Sequence, residues 1–232
     1  MIHLTVNSCE IAVNPDRFLP SRQLIRQQLD AGKLGDVGLI RVHRWEPRSV
    51  EHSAEQFGLP DSLLRDLDVV LWLVGQSPNS IHAVERNDSS GSSGRCIQVH
   101  LGFANGAMAL LDYSDRLPSG DGYQSLSVIG SAGAAYADDH QNMQLVFRGG
   151  HPDAVRAEET GRRHTALLQE AVAVLKSKAD ISQEVAEWNS LRRVAESVRQ
   201  ALETNTSRPP TSFGEPGGGV APPGANQNPR TR

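Results

Sequence analysis

Asp61-Ser62-Leu63-Leu64-Arg65-Asp66-Leu67-Asp68-Val69-Val70-Leu71-Trp72-Leu73-Val74-Gly75 carries more structural information than any other stretch of this chain. Leu63, Leu64, Leu67, Val70, Leu71 and Val74 recur with a period of about 3.6 residues, which predicts one apolar stripe on a helix. Pro60 and Asp61 mark its start, with Asp61 in the N-cap position, and Gly75 marks its end. Asp61 and the residue four places on share a helix face, so an acid and an imidazole at this spacing could both reach one substrate hydroxyl. The second position holds Arg65, and a guanidinium stays charged and takes up no proton.

Working outward, Ser21 is expected to cap a helix running to about residue 31, with Leu24, Ile25 and Leu29 inside and Gly32 closing it. A strand is predicted over 37–45, and further strands over 80–85, 95–103, 107–113, 124–129, 134–137 and 143–147. Ile97, Val99, Leu101 and Phe103 alternate with Cys96, Gln98 and His100, the period-two signature of a sheet with two unlike faces. Asn105-Gly106 signals a hairpin and Gly120-Asp121-Gly122 a second turn, so successive strands run antiparallel. Helices follow over 160–177 and 182–203, the second opened by a capping-box pair, Asp180 and Gln183. The fold class is therefore α+β: one large open, mainly antiparallel sheet with helices on one face, plus C-terminal helices.

From residue 204 to 232 the chain turns to proline and glycine with little to bury, and this tail is expected to be disordered. Residues 88–94 read as a flexible hairpin tip. At 232 residues with 38% apolar content the chain can bury one core. No apolar run reaches the length of a membrane span, and the first residues lack a secretory pattern, so the expected location is cytoplasmic. A net charge of −4 without a basic patch argues against a nucleic-acid partner. Cys9 and Cys96 are too few for a disulfide framework or a zinc knuckle.

Asp61, Asp68, Trp72 and Gly75 follow a D-x-x-x-H-x-x-D pattern with a W-L-x-G ending that resembles the Gfo/Idh/MocA oxidoreductases, with Arg65 where that family has histidine. Ala31-Gly32-Lys33-Leu34-Gly35, Phe103-Ala104-Asn105-Gly106 and Gly130-Ser131-Ala132-Gly133 continue the likeness in order from about residue 11 to 203. The resemblance implies a C-terminal substrate and dimerisation domain over 21–203. Residues 1–20 then correspond to the last strand of a Rossmann domain and its crossover. Family members hold the dinucleotide on a glycine-rich turn and carry a Glu-Lys-Pro catalytic lysine. Neither pattern occurs here, since Lys33, Lys176 and Lys178 are not followed by proline.

Two functions follow from the resemblance. The first is a stand-alone domain that is not catalytic by itself, dimerising through its open sheet face or binding a small sugar-like ligand, and holding no cofactor of its own. The alternative is the substrate-domain part of an NAD(P)-dependent sugar or polyol dehydrogenase, completed by a partner Rossmann chain that supplies NAD(P). Arg17, Asp61 and Arg65 are the substrate-binding candidates, Arg17 by analogy with a strand-end arginine of the family. Asp61 and Arg65 have two readings: a helix-stabilising i,i+4 ion pair worth about 0.2–0.5 kcal/mol, or a substrate-facing cation that forks onto a carboxylate or phosphate. Arg17 likewise fits a surface ion pair. No catalytic residue and no metal site is assigned, because Asp138-Asp139-His140 are consecutive and point to opposite sides of an extended chain.

Overall fold

A computed structural model describes residues 1–6, 9–47, 55–86, 94–118, 122–138, 143–147, 153–156, 165–167, 169, 172–173 and 180–206. β1 (Ile2–Val6) and β2 (Cys9–Val13) form an antiparallel ribbon with Ile2 opposite Val13. A 3-10 turn (Pro15–Phe18) follows, capped by Asn14, whose side-chain oxygen accepts from the Asp16 amide at 2.9 Å. α1 (Pro20–Asp30) starts earlier than the sequence suggests: Pro20 supplies the helical φ at the first position, Leu19 is the cap residue, and Ser21 lies buried inside the helix.

β3 (Val37–Pro47) leads to the short pair β4 (Glu55–Gln56) and β5 (Leu59–Pro60), and then to α2 (Asp61–Val74). After α2 come β6 (Ser80–Glu85), β7 (Cys96–Gly102), β8 (Met108–Leu117), β9 (Tyr123–Gly130), β10 (Ala134–Asp138), β11 (Met143–Phe147) and β12 (Asp153–Arg156). Their order in the sheet is β12-β11-β10-β9-β3-β8-β7-β6. Every neighbouring pair is antiparallel except β3 with β8. β8 and β9 follow one another in the chain but are not partners, because β3 lies between them as the central strand. The sheet thus joins two meanders, β6 to β8 and β9 to β12, along the first strand to enter it.

α2 and α3 (Ser182–Thr206) cover one face. The core gathers Ile40 and Val42 from β3, Val99 and Leu101 from β7, and Leu111 from β8. Leu126 and Val128 of β9, Leu63, Leu67 and Val70 of α2 and Leu191 and Val198 of α3 belong to the same buried cluster. The buried surface of α2 is wider than the stripe read from sequence and includes Ser62, Asp66, Asp68, Val69 and Leu73. The cause is its position: α2 touches β3, β5 and β8 on one side and α3 and the 3-10 turn on others. Asp61 is the first residue of α2 rather than its cap. Pro60 holds that place with no side-chain cap, and the Asp61 carboxylate turns instead toward Met1 and Arg65. Gly75 closes the helix as expected, left-handed at φ 75°, its amide bonded to Leu71 O at 2.8 Å.

The two glycine-bearing turns meet in space. Ser131 and Ala132 amides donate to Asp36 O and Leu34 O, and a side chain at Gly130 would strike the Leu34 carbonyl. Asp180 accepts from the Ser182 amide at 2.9 Å and so caps α3, while Gln183 bonds Glu187 rather than completing a capping box. Of the helix expected over 160–177, only a few positions are described, with Leu167 buried. Of the hairpin tip expected at 88–94 only Gly94 is described, α3 continues through Thr206 past the expected start of the tail at 204, and Asp139, His140 and residues 207–232 lie outside the described residues.

The opposite sheet face has no helix over it among the described residues. Trp45, Val84, Met108, Ile129 and Tyr136 all stand on it, Met108 being 55% exposed, interleaved with Arg41, His43, Gln98, His100 and Asp112.

Candidate functional site

The period of two along β3 puts Arg44 on the same buried side as Ile40 and Val42. A buried guanidinium needs paired carboxylates, and α2 and the 3-10 turn provide them. Arg44 forks onto Asp66 at 2.6 and 2.7 Å and reaches Asp16 at 3.1 Å. Asp66 also accepts from Gln124 of β9 at 3.2 Å, and Glu46 lies 3.5 Å from Arg44. Burial disfavours the Arg44 charge, but Asp66 first, then Asp16 and Glu46, more than offset it and hold the group protonated.

Asp16 links this cluster to Arg65, whose Nε is 3.6 Å from Asp16 and 3.6 Å from Asp61. That nitrogen is buried and makes no hydrogen bond, so both contacts are ion pairs at a distance. The Asp61 carboxylate accepts from the Met1 nitrogen at 2.7 Å. Asn14 ties the network together: its amide donates to Arg65 O at 2.8 Å and to Asp68 at 2.7 Å.

On the far side of Asn14, Arg17 forks onto Asp68 at 2.7 and 2.6 Å and extends to Glu187 of α3 at 2.5 Å. Burial alone would lower the Arg17 pKa, but the Asp68 charge and hydrogen bonds, followed by those of Glu187, raise it. Burial pushes the Glu187 carboxyl up, and the Arg17 hydrogen bond and charge outweigh this and leave it below the ordinary glutamate range. Arg17 thus pairs with Asp68 and Glu187, and Arg65 faces Asp61 and Asp16, so each arginine serves two carboxylates.

The three sequence candidates are not lining one pocket. Arg17 lines a cavity of about 510 Å³ with Arg26, Asp68, Trp72, Ser77, Glu187 and Arg193, whereas Asp61 and Arg65 are not part of its wall. Arg17 and Arg26 both sit over the Trp72 indole, 5.7 and 5.6 Å from its centre. Sequence reasoning passed over Arg44, Asp16, Asp66 and Glu187. The signal for Arg44 was present in the strand alternation; the α3 partner of Arg17, 170 positions away, left none.

The fit to a dinucleotide can be tested at the helix N-termini, where a pyrophosphate would sit. α1 opens on buried Ser21 and Arg22, α2 on Asp61, and α3 on Asp180 and Glu184. Burial at the first and negative charge at the other two do not suit a pyrophosphate at these three helix starts. Nor is there a group of three or more metal-ligating side chains among the described residues.

Residues 23–136 match the family described as GFO/IDH/MocA C-terminal domain. Residues 23–136 are a GFO/IDH/MocA C-terminal domain. The chain is 24% identical over 172 residues to the Rhizopine catabolism protein MocA of Rhizobium meliloti, covering 68% of this chain and 54% of that protein. It is 26% identical over 137 residues to Inositol 2-dehydrogenase of Rhizobium meliloti strain 1021, covering 56% and 41%. The chain therefore spans about half the length of the curated relatives it matches. The fold superposes on UDP-N-acetylglucosamine 3-dehydrogenase of Acidithiobacillus ferrooxidans with a TM-score of 0.65 at 20% identity, over 83% of this chain and 61% of that one. The domain has the mainly antiparallel sheet, with helices on one face among the described residues, that its sequence predicts. No described helix is long and apolar enough to cross a membrane.

Proposed function

We propose that this GFO/IDH/MocA domain dimerises and holds a small sugar-like ligand and does not itself carry out redox chemistry. Arg65 carries the reading. Oxidising an alcohol requires a group that takes the hydroxyl proton as hydride leaves. The side chain one helical turn from Asp61 is a guanidinium lying 3.6 Å from both Asp61 and Asp16, and a guanidinium has no lone pair with which to take up that proton. The lack of fit between the described helix N-termini and a dinucleotide supports the same reading. The sugar-like ligand is supported by the names of the relatives, and dimerisation by the apolar side chains gathered on the uncovered sheet face. A cytoplasmic location belongs to this reading.

The purified chain mixed with myo-inositol and NAD⁺ is expected to give no absorbance change at 340 nm, and calorimetric titration with NAD(H) and NADP(H) no micromolar binding. Sustained NADH formation would overturn the reading. A second reading, a substrate-domain subunit completed by a separate Rossmann chain, draws support from the match of residues 23–136 to the family's C-terminal domain. Turnover that appears only when a Rossmann domain ending in Glu-Lys-Pro is added would favour it.

A further inference from the structure

We infer that the 510 Å³ cavity between α1, the C-terminal end of α2 and α3 is a binding site for a small organic oxyanion, a phosphate or carboxylate carried on an apolar or ring-shaped body. Its volume suits a metabolite-sized ligand. It lies toward the Trp72 and Gly75 end of α2, away from Asp61 and Arg65, and stands whether or not the reading of Arg65 holds.

The chemistry follows from which polar groups are already committed. Each oxygen of Asp68 accepts from Arg17, one of them also from Asn14. Glu187 accepts from Arg17 on one oxygen and from Gln183 on the other. The acidic part of the wall is therefore occupied. Arg26 is occupied too, pairing with Asp30 and covering the Trp72 carbonyl, which would otherwise present the negative end of α2 to a ligand. Arg193 is different: it lines the cavity from α3, and its side chain makes no hydrogen bond or ion pair among the described residues. Beside it, Ser77 and Ser190 share one hydrogen bond at 2.7 Å, leaving one hydroxyl hydrogen between them to donate.

Gln76 and Gln183 also line the wall, and each amide carries both donor and acceptor atoms, so the charged Arg193 decides the balance and the complementary ligand is an anionic acceptor. A cation would meet Arg17 and Arg26, which already lie over the indole. The apolar part of the wall, Leu71, Trp72 and Ala186, provides for the ligand's body.

The test is calorimetric titration with phenyl phosphate, benzoate and phenol against the wild-type chain, Arg193→Ala and Arg192→Ala. Arg192 is one residue along, packs over Phe57 and does not line this cavity, yet its removal changes net charge equally. Saturable binding at up to about millimolar Kd is expected for phenyl phosphate or benzoate, and which of the two binds names the oxyanion. Arg193→Ala should weaken it roughly tenfold or more, the loss of a charge-assisted contact, and Arg192→Ala should leave it unchanged. Both variants remove exposed side chains, so folding is not at stake. No saturable heat with either anion, phenol bound as tightly as the anions, or equal losses in the two variants would overturn the assignment.

Discussion

Arg44 and Arg65 stand on neighbouring elements and share Asp16, yet their environments predict different costs of removal. Arg44 is buried with two carboxylates that depend on it. Arg44→Met leaves Asp66 and Asp16 uncompensated and is expected to cost about 3–5 kcal/mol. Arg65→Leu gives up two ion pairs at 3.6 Å from a side chain 21% exposed, a loss of about 0.2–1 kcal/mol. Urea unfolding of the two variants measures both; similar costs would mean that Arg65 holds the network as firmly as Arg44. Glu187 adds a pH signature. Its folded pKa is lowered, so its contribution is complete above the ordinary glutamate value of 4.5 and is lost as pH falls through the folded value. The melting temperature of wild type should exceed that of Glu187→Gln by about 1–3 °C near neutrality, discounted because Glu187 is partly exposed. The difference should be flat from about pH 6 to 8 and shrink below about pH 4.5. A gap that widens on acidification would contradict the Arg17 assignment.

At the scale of elements, two glycines end structures for different reasons, and substitution separates them. Gly75 is left-handed with nothing within 4 Å of where an added methyl would stand, so Gly75→Ala should cost only the backbone penalty, roughly 1–2 kcal/mol. Gly130→Ala places its methyl against the Leu34 carbonyl in the turn that docks the β9-β10 hairpin. A backbone atom cannot swing aside as a side chain can, so this variant should be the less stable of the two in thermal unfolding. The α2 stripe shows why one-dimensional patterns under-count burial. Periodicity finds the side that faces the sheet, but α3 and the 3-10 turn close over other sides, and Asp66 and Asp68 become buried as ion-pair partners.

For the whole molecule, the sheet face that no described helix covers has the largest consequence. If two copies join through it, Met108→Asp with Ile129→Asp should convert a dimer to a monomer in light scattering while leaving the far-ultraviolet circular dichroism unchanged, since both side chains are exposed in the single chain. A wild-type monomer at micromolar concentration would remove that part of the proposal. The alternation of Ile97, Val99 and Leu101, the Asn105-Gly106 turn and the Gly75 stop were legible in the sequence because each is a local preference of the backbone or a local period. The strand ends at Ser80–Glu85 and Met143–Phe147 could be read for the same reason. Tertiary structure alone decided that β3 would insert between β8 and β9, that Arg44 would meet Asp66 and Asp16, and that Arg17 would bridge Asp68 to Glu187 across 119 positions of chain (187 − 68). Such contacts depend on which buried charges the packed layers bring within reach of one another, and no local pattern encodes that distance.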